Sequence, residues 1–192
     1  GAGGPIAQRG RLPLGQQLIL IDGRKFRFAR AGGTLIVIGN VLQSASPIAT
    51  DASMACAAGA VGDRIVTFTH GAATVVINFF AEGYANISLA PGSGQIYKIA
   101  SHLALQSAVA GDIVNLAPGH AVRVALTTTS DLTLVTHVCD GVIQMPATPL
   151  AALAGIAVTA IPASDFGWIQ TRGIASVLSA ASTVSGNNVG CL

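Results

Sequence analysis

Short runs of β-branched and aromatic residues alternate with turn-forming residues through most of this chain. Clear examples are RIVTFTH from Arg64, GYANISL from Gly83 and QIYKIAS from Gln95. Gly, Pro, Asn and Asp separate such runs, and helical periodicity is scarce. Several short strands at this spacing are typical of a sandwich or a barrel. The sequence therefore predicts an all-β fold, a β-sandwich or barrel-like domain of the jelly-roll or β-tulip type, with little helix.

Other segments carry the same strand pattern, and one short segment favours a helix. The helical candidate is GIASVLSAAS, which begins at Gly173. AVGDRIVTF at 60–68 and AVAGDIVNL at 108–116 are weakly similar to each other. We interpret the similarity as a Gly-Asp turn that leads into a strand in both segments, and not as a repeat. The remaining predicted strands are AGGTLIVIGNVL, ATVVINFF, DIVNLA, VRVALTTT and LTLVTHV.

The clearest local signal is QQLILIDGRKFRFAR near the start of the chain. Its Asp-Gly dipeptide favours a tight turn between strand-forming residues, which predicts a β-hairpin over residues 17–30. On the second strand, alternation puts Phe26 and Phe28 on one face and Lys25 and Arg27 on the other. We expect one face to pack and the other to present positive charge.

The length of 192 residues suits one domain and an extended segment. Residues 1–16 are rich in Gly and lack the apolar core of a secretion signal, so we predict an N-terminal arm followed by a single β-rich domain over 17–192. Residues 141–164 are uncharged but are divided by prolines, and they fall short of the roughly 20 strongly apolar residues of a membrane span. We expect buried strands and loops there, partly in an interface, and no membrane contact.

Charge is scarce and unevenly distributed. Charged residues make up 9% of the chain, against about 25% in an ordinary soluble domain. So few ionic groups cannot hydrate the surface of a typical monomer, and we expect other protein to cover much of the exterior. Six of the ten basic residues lie within the first thirty positions: Arg9, Arg11, Arg24, Lys25, Arg27 and Arg30.

No motif indicates catalysis, a metal site or a bound cofactor. The four histidines lie on separate segments without the spacing of metal ligands, and no nucleophile elbow or glycine-rich phosphate loop is present. The three cysteines, Cys56, Cys139 and Cys191, are odd in number and widely spaced, which predicts neither a disulfide framework nor a zinc site. Such thiols fit assembly in a reducing cytoplasm. We expect a protein that is not an enzyme.

Two further features bear on partners. The basic N-terminal stretch could neutralise phosphates, but the strands lack the interleaved aromatics of single-strand binders, so we expect no specific nucleic acid. The segment DFGWIQTRG holds Trp168 and Arg172, which are residue types favoured as interface anchors.

Three stretches, in order, resemble the capsid decoration, or cement, proteins of tailed bacteriophages. They are LPLGQQLILIDGRKFRFARAGGTLIVIGNVLQSASP, AEGYANISLAPGSGQIYKIASH continuing to VRVALTTTSDLTLV, and GVIQMPATPLAALAGIAVTAIPASDFGWIQTRG. The resemblance implies a β-rich subunit, assembled in the host cytoplasm, that sits as a homotrimer on the outer surface of the virion head and bridges major capsid proteins. The residues that we expect to contact the capsid are Arg9, Arg11, Lys25, Arg27, Trp168 and Arg172.

Alternatives stay open at this point. The basic residues near the hairpin would also protect an exposed sheet edge from aggregation. A carbohydrate-binding β-sandwich on a virion would place two or three exposed aromatics on a platform, and Trp168, Tyr84 and Tyr97 are not obviously spaced for one. Another phage head structural protein, such as the major capsid protein, would need a long spine helix, which the sequence does not predict.

Overall fold

A computed structural model describes residues 12–178 and shows an almost entirely β architecture. Helical structure in this range is limited to one 3-10 turn, Ala49–Asp51. The strands are short, with the longest spanning seven residues. They are β1 (Gln17–Ile19), β2 (Lys25–Arg30), β3 (Val41–Gln43), β4 (Met54–Ala55), β5 (Ile65–Thr69), β6 (Tyr84–Ile87), β7 (Ile96–His102), β8 (Ala110–Leu116), β9 (Asp131–Val135), β10 (Ile143–Gln144), β11 (Leu153–Ala157) and β12 (Phe166–Arg172).

The strands form two antiparallel sheets of six strands each. The terminal sheet has the order β1-β2-β12-β11-β3-β10 and draws on both ends of the chain. The central sheet, β4-β9-β6-β7-β8-β5, is built from the continuous segment between them. The predicted all-β fold, sandwich- or barrel-like with little helix, is confirmed.

The central sheet curls so that its two edge strands approach each other. Directly after β4, Cys56 forms an isolated bridge with Phe68 of β5, and the Ala57 N–H donates to the Thr67 carbonyl at 2.8 Å. The curled sheet encloses its own core, in which Phe68, Phe80 and Tyr97 are almost completely buried. Large aromatic rings fill this interior because the inward positions alternate along each strand.

The terminal sheet buries a separate core built mainly from small and branched side chains. Ala29, Ala157 and Ile169 are at most 1% exposed within it. The uncharged segment 141–164 supplies β10 and β11 and packs Ala154 against the same core. Among residues 12–178, no helix has the length and apolar character to cross a membrane.

The chain is folded back on itself like one long hairpin. The Pro-Gly-Ser-Gly corner joins the paired strands β6 and β7, and outward from it β5 pairs with β8, β4 with β9, β3 with β11 and β2 with β12. The two segments of the sequence echo lie on β5 and β8, which are direct antiparallel partners. Nested pairing of this kind is the connectivity of wrapped β-ribbons such as jelly rolls.

Three of the predicted strands are wrong over most of their length. ATVVINFF and VRVALTTT each contain one residue in an isolated bridge, followed by a turn. AGGTLIVIGNVL contains two such residues, of which only Ile36 is followed by a turn, and it ends in the first two residues of β3. The three bridges that turns follow join Ile36 to Ile161, Gly59 to Leu126 and Val75 to Leu105. We call each bridging residue with the turn after it a bridge-turn unit.

Backbone conformation explains why these β-branched runs do not continue as strands. In five of the six bridge-turn units the third residue after the bridge has a positive φ, as at Gly39 (83°), Gly62 (97°) and Asn78 (60°). The residue after it donates its N–H back across the turn, as Asn40 does to Val37. This geometry is that of a type II turn, which reverses the chain and turns apolar side chains towards solvent.

The helix predicted from Gly173 is also wrong within the described residues. Gly173 has a φ of 94°, and residues 174–178 are irregular. The Leu178 N–H donates to the Gly39 carbonyl at 2.9 Å, so a contact with the turn replaces helical hydrogen bonds. Residues 179–182 of that prediction lie outside the described part of the chain.

We expect Ile99→Ala to lower the free energy of unfolding by about 2–5 kcal/mol, because Ile99 is buried in the central core and the truncation leaves a cavity. Ile113→Ala on the neighbouring strand is the matched control, since Ile113 is 40% exposed; its cost should stay below about 1 kcal/mol. Urea denaturation of both variants measures the difference. Equal losses would contradict the placement of Ile99 in the core.

We expect stability to fall as pH drops from 7 to 5, in part because of His102. Its Nε2 accepts the Phe80 N–H at 2.9 Å, and its Nδ1 donates to the Leu103 carbonyl at 2.6 Å. Burial holds the pKa of His102 below its usual value of 6.5, so the unfolded chain takes up this proton first as pH falls. Stability is therefore full above pH 6.5 and declines below it. Uptake of one such proton lowers the free energy of unfolding by at most about 1.4 kcal/mol per pH unit. His102→Gln should therefore flatten the pH profile of the melting temperature. An unchanged slope would refute the assignment to His102.

Candidate partner-binding surface

The predicted hairpin is present at one edge of the terminal sheet. β1 pairs with β2 across the Asp-Gly turn, and Leu18 lies opposite Phe26. The predicted alternation along β2 is confirmed, because Phe26 and Phe28 are 6% and 8% exposed while Arg27 is exposed. On its other side β2 pairs with β12, which brings the N-terminal and C-terminal candidate residues together.

β12 places Trp168 and Arg172 beside the hairpin. Trp168 lies opposite Phe28, and the two rings meet edge to face with centroids 5.4 Å apart. Phe28 also stacks on Phe166 at 5.6 Å. A register shift before Arg172 places this residue opposite Lys25. Trp168 is thus partly exposed on an aromatic cluster, with two cations near one end of the same strand pair.

The six predicted contact residues do not share one face. Arg27 lies opposite Ile169, on the face away from Trp168, and its Nη1 donates to the Gly15 carbonyl at 3.0 Å. Lys25 and Arg172 lie towards the hairpin turn. Arg9 and Arg11 lie outside the described residues.

Positive charge exceeds negative charge around the hairpin turn. Arg24 forms an ion pair with Asp22 at 2.6 Å, and hydrogen bonds from the Arg24 backbone and side chain hold the pKa of Asp22 below its usual value. Within residues 12–178, no carboxylate pairs with Lys25, Arg27 or Arg172. The hairpin therefore presents cations that can meet the negative charge of a partner.

Exposed aliphatic side chains lie among these cations, and the sequence reasoning missed them. The exposed fractions are 41% for Leu18, 56% for Ile19, 109% for Ile21 and 94% for Ile174. We interpreted the run LILI as an ordinary strand. Because β1 lies at the edge of the sheet, some of these side chains stay exposed. A hollow of about 510 Å³ at this position is lined by Asp22, Gly23, Arg24, Arg172, Gly173 and Ile174. We call the exposed aliphatics and cations of residues 17–27 and 172–174 the hairpin end.

Among residues 12–178, β1 also leaves backbone hydrogen-bonding groups without a partner. It is the first strand of the terminal sheet and, within this range, pairs only with β2. Because Gln16 accepts from Phe28 and Leu20 donates to Arg24, the even-numbered residues face β2. The alternate residue Ile19 therefore directs its N–H and C=O away from the sheet, where an extended segment of a partner can add a strand.

The described end of the predicted arm lies against the fold. Leu14 is 5% exposed, and its N–H donates to a Glu82 carboxylate oxygen at 2.8 Å. The Gly15 N–H donates to the Phe28 carbonyl at 2.8 Å. A Cβ on Gly15 would lie 2.6 Å from the His137 ring, so glycine allows this close approach. Residues 1–11 of the arm lie outside the described part of the chain.

Two pairs of polar side chains elsewhere in the fold are largely buried. Asp51 and His70 form a hydrogen-bonded pair at 2.8 Å, and both side chains are 0% exposed. Arg30 contacts Asp140 at 2.5 Å, and this aspartate is nearly buried. A substrate has no access to the first pair, which ties the 3-10 turn to the end of β5. The two members of each pair lie far apart in sequence, so no local motif predicts either pair. Among residues 12–178, no group of three or more potential ligands could hold a metal ion.

A cleft of about 480 Å³ lies between the two sheets. Its walls are mostly apolar and include Phe79, Phe80 and Tyr84 from the central segment and Ile48 from the loop after β3. None of the lining residues within 12–178 is charged.

We expect the thiols of Cys56 and Cys139 to react slowly in the folded protein. Burial raises the pKa of each to about 11, so about one thiol in a thousand is ionised at pH 8. In a Cys191→Ser variant, a thiol-specific reagent should label neither residue rapidly at pH 8 and both after denaturation, and the native rate should rise towards pH 11. Immediate labelling of two thiols in the folded protein would contradict this burial.

Comparisons of the chain with known protein families, with curated proteins and with solved structures gave no match. The likeness to phage decoration proteins therefore stays a prediction.

Proposed function

We propose that this chain is a structural virion protein, a decoration protein that binds the outer surface of a phage head and stabilises the expanded shell. The observation that carries the proposal is the hairpin end, where cations and exposed aliphatics lie beside a strand edge, and nothing within residues 12–178 pairs with either the cations or the edge. This combination suits a protein partner with an acidic, partly apolar surface. The major capsid protein is the partner that the family resemblance implies.

The composition of the surface supports a subunit that is covered by neighbours. Among residues 12–178, 24 large aliphatic side chains are exposed, whereas the whole chain has only 18 charged residues. Isolated exposed aliphatics are normal, but their grouping with so little charge is typical of interaction surfaces.

The stabilisation would be thermodynamic. A subunit that binds the assembled lattice and not its separated parts stabilises the lattice by mass action. A subunit that contacts several capsid proteins at once gains from multivalency, so contacts of modest strength add up to a durable shell. Addition of a capsid strand to the open edge of β1 would supply backbone hydrogen bonds, and the cations would supply orientation.

No observation favours the carbohydrate-binding alternative. Tyr97 is 0% exposed in the central core, and Tyr84 lines the cleft between the sheets. Trp168 belongs to the other sheet and is partly covered by Phe28. These three aromatics do not form a common platform.

The proposal predicts that Lys25→Glu/Arg172→Glu weakens binding to expanded, undecorated heads of the cognate major capsid protein by at least about tenfold at low salt. The difference should shrink as salt rises, because exposed charges are screened. Co-sedimentation measures binding, and the heat resistance of the heads measures stabilisation.

A matched control is Arg64→Glu/Lys98→Glu, which makes the same charge change on the central sheet. Its binding should equal that of the unmodified protein. Equal binding by both double variants would remove the hairpin end from the interface, and absence of any binding or heat protection by the unmodified protein would refute the proposed function.

A further inference from the structure

The cleft between the two sheets contains part of a strand edge. Residues 133–136, at the end of β9, line it together with residues 44–49, which follow β3. Leu134 is one of the lining residues, although its side chain is 4% exposed and packs in the central core. What Leu134 can offer to a molecule in the cleft is therefore its backbone.

The backbone groups of β9 alternate between its two neighbouring strands. The Ser88 N–H donates to the Asp131 carbonyl at 2.8 Å, so the odd-numbered residues of β9 face β6. The Cys56 N–H donates to the Ser130 carbonyl at 2.8 Å, so the even-numbered residues face the side of β4. Leu134 is even-numbered, and its N–H and C=O therefore point to the side of β4.

β4 is too short to cover Leu134. It consists of Met54–Ala55 and reaches only Leu132 on β9. The preceding residue, Ser53, has a φ of 51°, and its N–H donates to Thr133 Oγ1 at 3.1 Å instead of a backbone carbonyl. Among residues 12–178, the N–H and C=O of Leu134 have no hydrogen-bonding partner.

The chain before β4 is held away from β9 by an enclosed contact. It forms the 3-10 turn Ala49–Asp51, which the Ala52 N–H closes by donating to the Ala49 carbonyl. Asp51 Oδ1 lies 2.8 Å from His70 Nε2, and both side chains are 0% exposed. Straightening this turn along β9 would break the buried pair. The gap beside Leu134 therefore belongs to the folded structure, and an ordered site loses less entropy on binding.

The backbone groups and the walls together define the chemistry of an occupant. A peptide backbone supplies both an acceptor for the Leu134 N–H and a donor for its carbonyl. The lining residues within 12–178 carry no charge, and Ile48, Val135 and Val138 among them are 39%, 42% and 41% exposed. Apolar side chains can cover these residues, whereas a charged one would lose hydration without gaining a counter-charge.

We propose that the cleft binds an extended, uncharged segment of a partner protein, which pairs with β9 at Leu134 as an added strand. In this mode of recognition the backbone gives affinity and the side-chain pockets give specificity. An alkyl chain would also cover the walls, but it would leave both backbone groups of Leu134 without a partner. The inference goes beyond the proposed function, because the hairpin end favours an acidic partner and the cleft an uncharged one.

The probe is a capped, fluorescently labelled peptide of alternating valine and threonine, and its anisotropy measures binding to the full chain. Amide hydrogen exchange, followed by NMR, reports pairing at Leu134. Without peptide, the Leu134 N–H should exchange faster than those of Thr133 and Val135, which face β6. Saturating peptide should slow its exchange at least about tenfold. Unchanged exchange at Leu134 in the bound state would overturn the inference.

The same measurement separates a partner from this chain itself. If Leu134 without peptide were as protected as Thr133 and Val135, the edge would already be occupied by another part of this chain or by a second copy. That result would overturn a partner protein as the occupant.

Two N-methylated peptides test whether the backbone holds the probe. In an extended peptide, alternate N–H groups point to opposite edges, so methylation of every valine blocks one edge and methylation of every threonine blocks the other. Because one edge pairs with β9, one of the two peptides should bind at least about tenfold more weakly than the other. Full binding by both would overturn strand addition.

Variants of the protein locate the bound peptide. Val135→Glu and Val138→Glu each place a charge in the cleft and should weaken binding at least about tenfold. The matched control is Ile113→Glu on β8, which is 40% exposed and does not line the cleft. Ile19→Glu, in the hairpin end, should also bind normally.

Thermal melting verifies that each variant is folded. Normal binding by both cleft variants would overturn the inference, as would loss of binding in Ile19→Glu alone, which would assign the peptide to β1. No phage heads enter these experiments, so a failure of this inference is distinguishable from a failure of the proposed function.

Discussion

Nested backbone pairing is the constraint on which the rest of the structure depends. From β2 to β6, each strand on the way to the Pro-Gly-Ser-Gly corner has a partner on the way back, so the chain closes its hydrogen bonds with itself from β6 and β7 outward. The bridge-turn units interrupt this ladder at intervals and let the ribbon curl. Positive φ at Gly62 and Asn78 ends the extended pairing of the central segment and reverses the chain there.

The bridge-turn units also decide what the surface is made of. They place valine and isoleucine in turns, where an ordinary soluble domain has polar residues, and the few charged residues do not screen them. The exposure of Val37, Ile38, Val61, Val76 and Ile77 is therefore a direct result of how the ribbon bends. A surface of this kind favours burial against other proteins, since solvent contact at these positions costs free energy without helping the fold.

Charge at one edge of the terminal sheet decides which kind of partner that edge can meet. The hairpin end combines apolar side chains with cations that have no carboxylate partner within residues 12–178, so it suits a surface of opposite charge. The enclosed pair of Asp51 and His70 joins distant segments inside the fold.

The sequence by itself determined the fold class, the hairpin with its alternating faces, and the shortage of charge, because these depend on local periodicity, turn chemistry and composition. Only the tertiary structure decided that LIVIG and VVIN are turns, that Trp168 meets Phe28, and that the loops at Val75 and Leu105 share one end. β-branched runs have the same local preference in a buried strand and in a turn held by a distant bridge. Long-range pairing chooses between them, and it also decides which apolar residues the folded chain leaves uncovered.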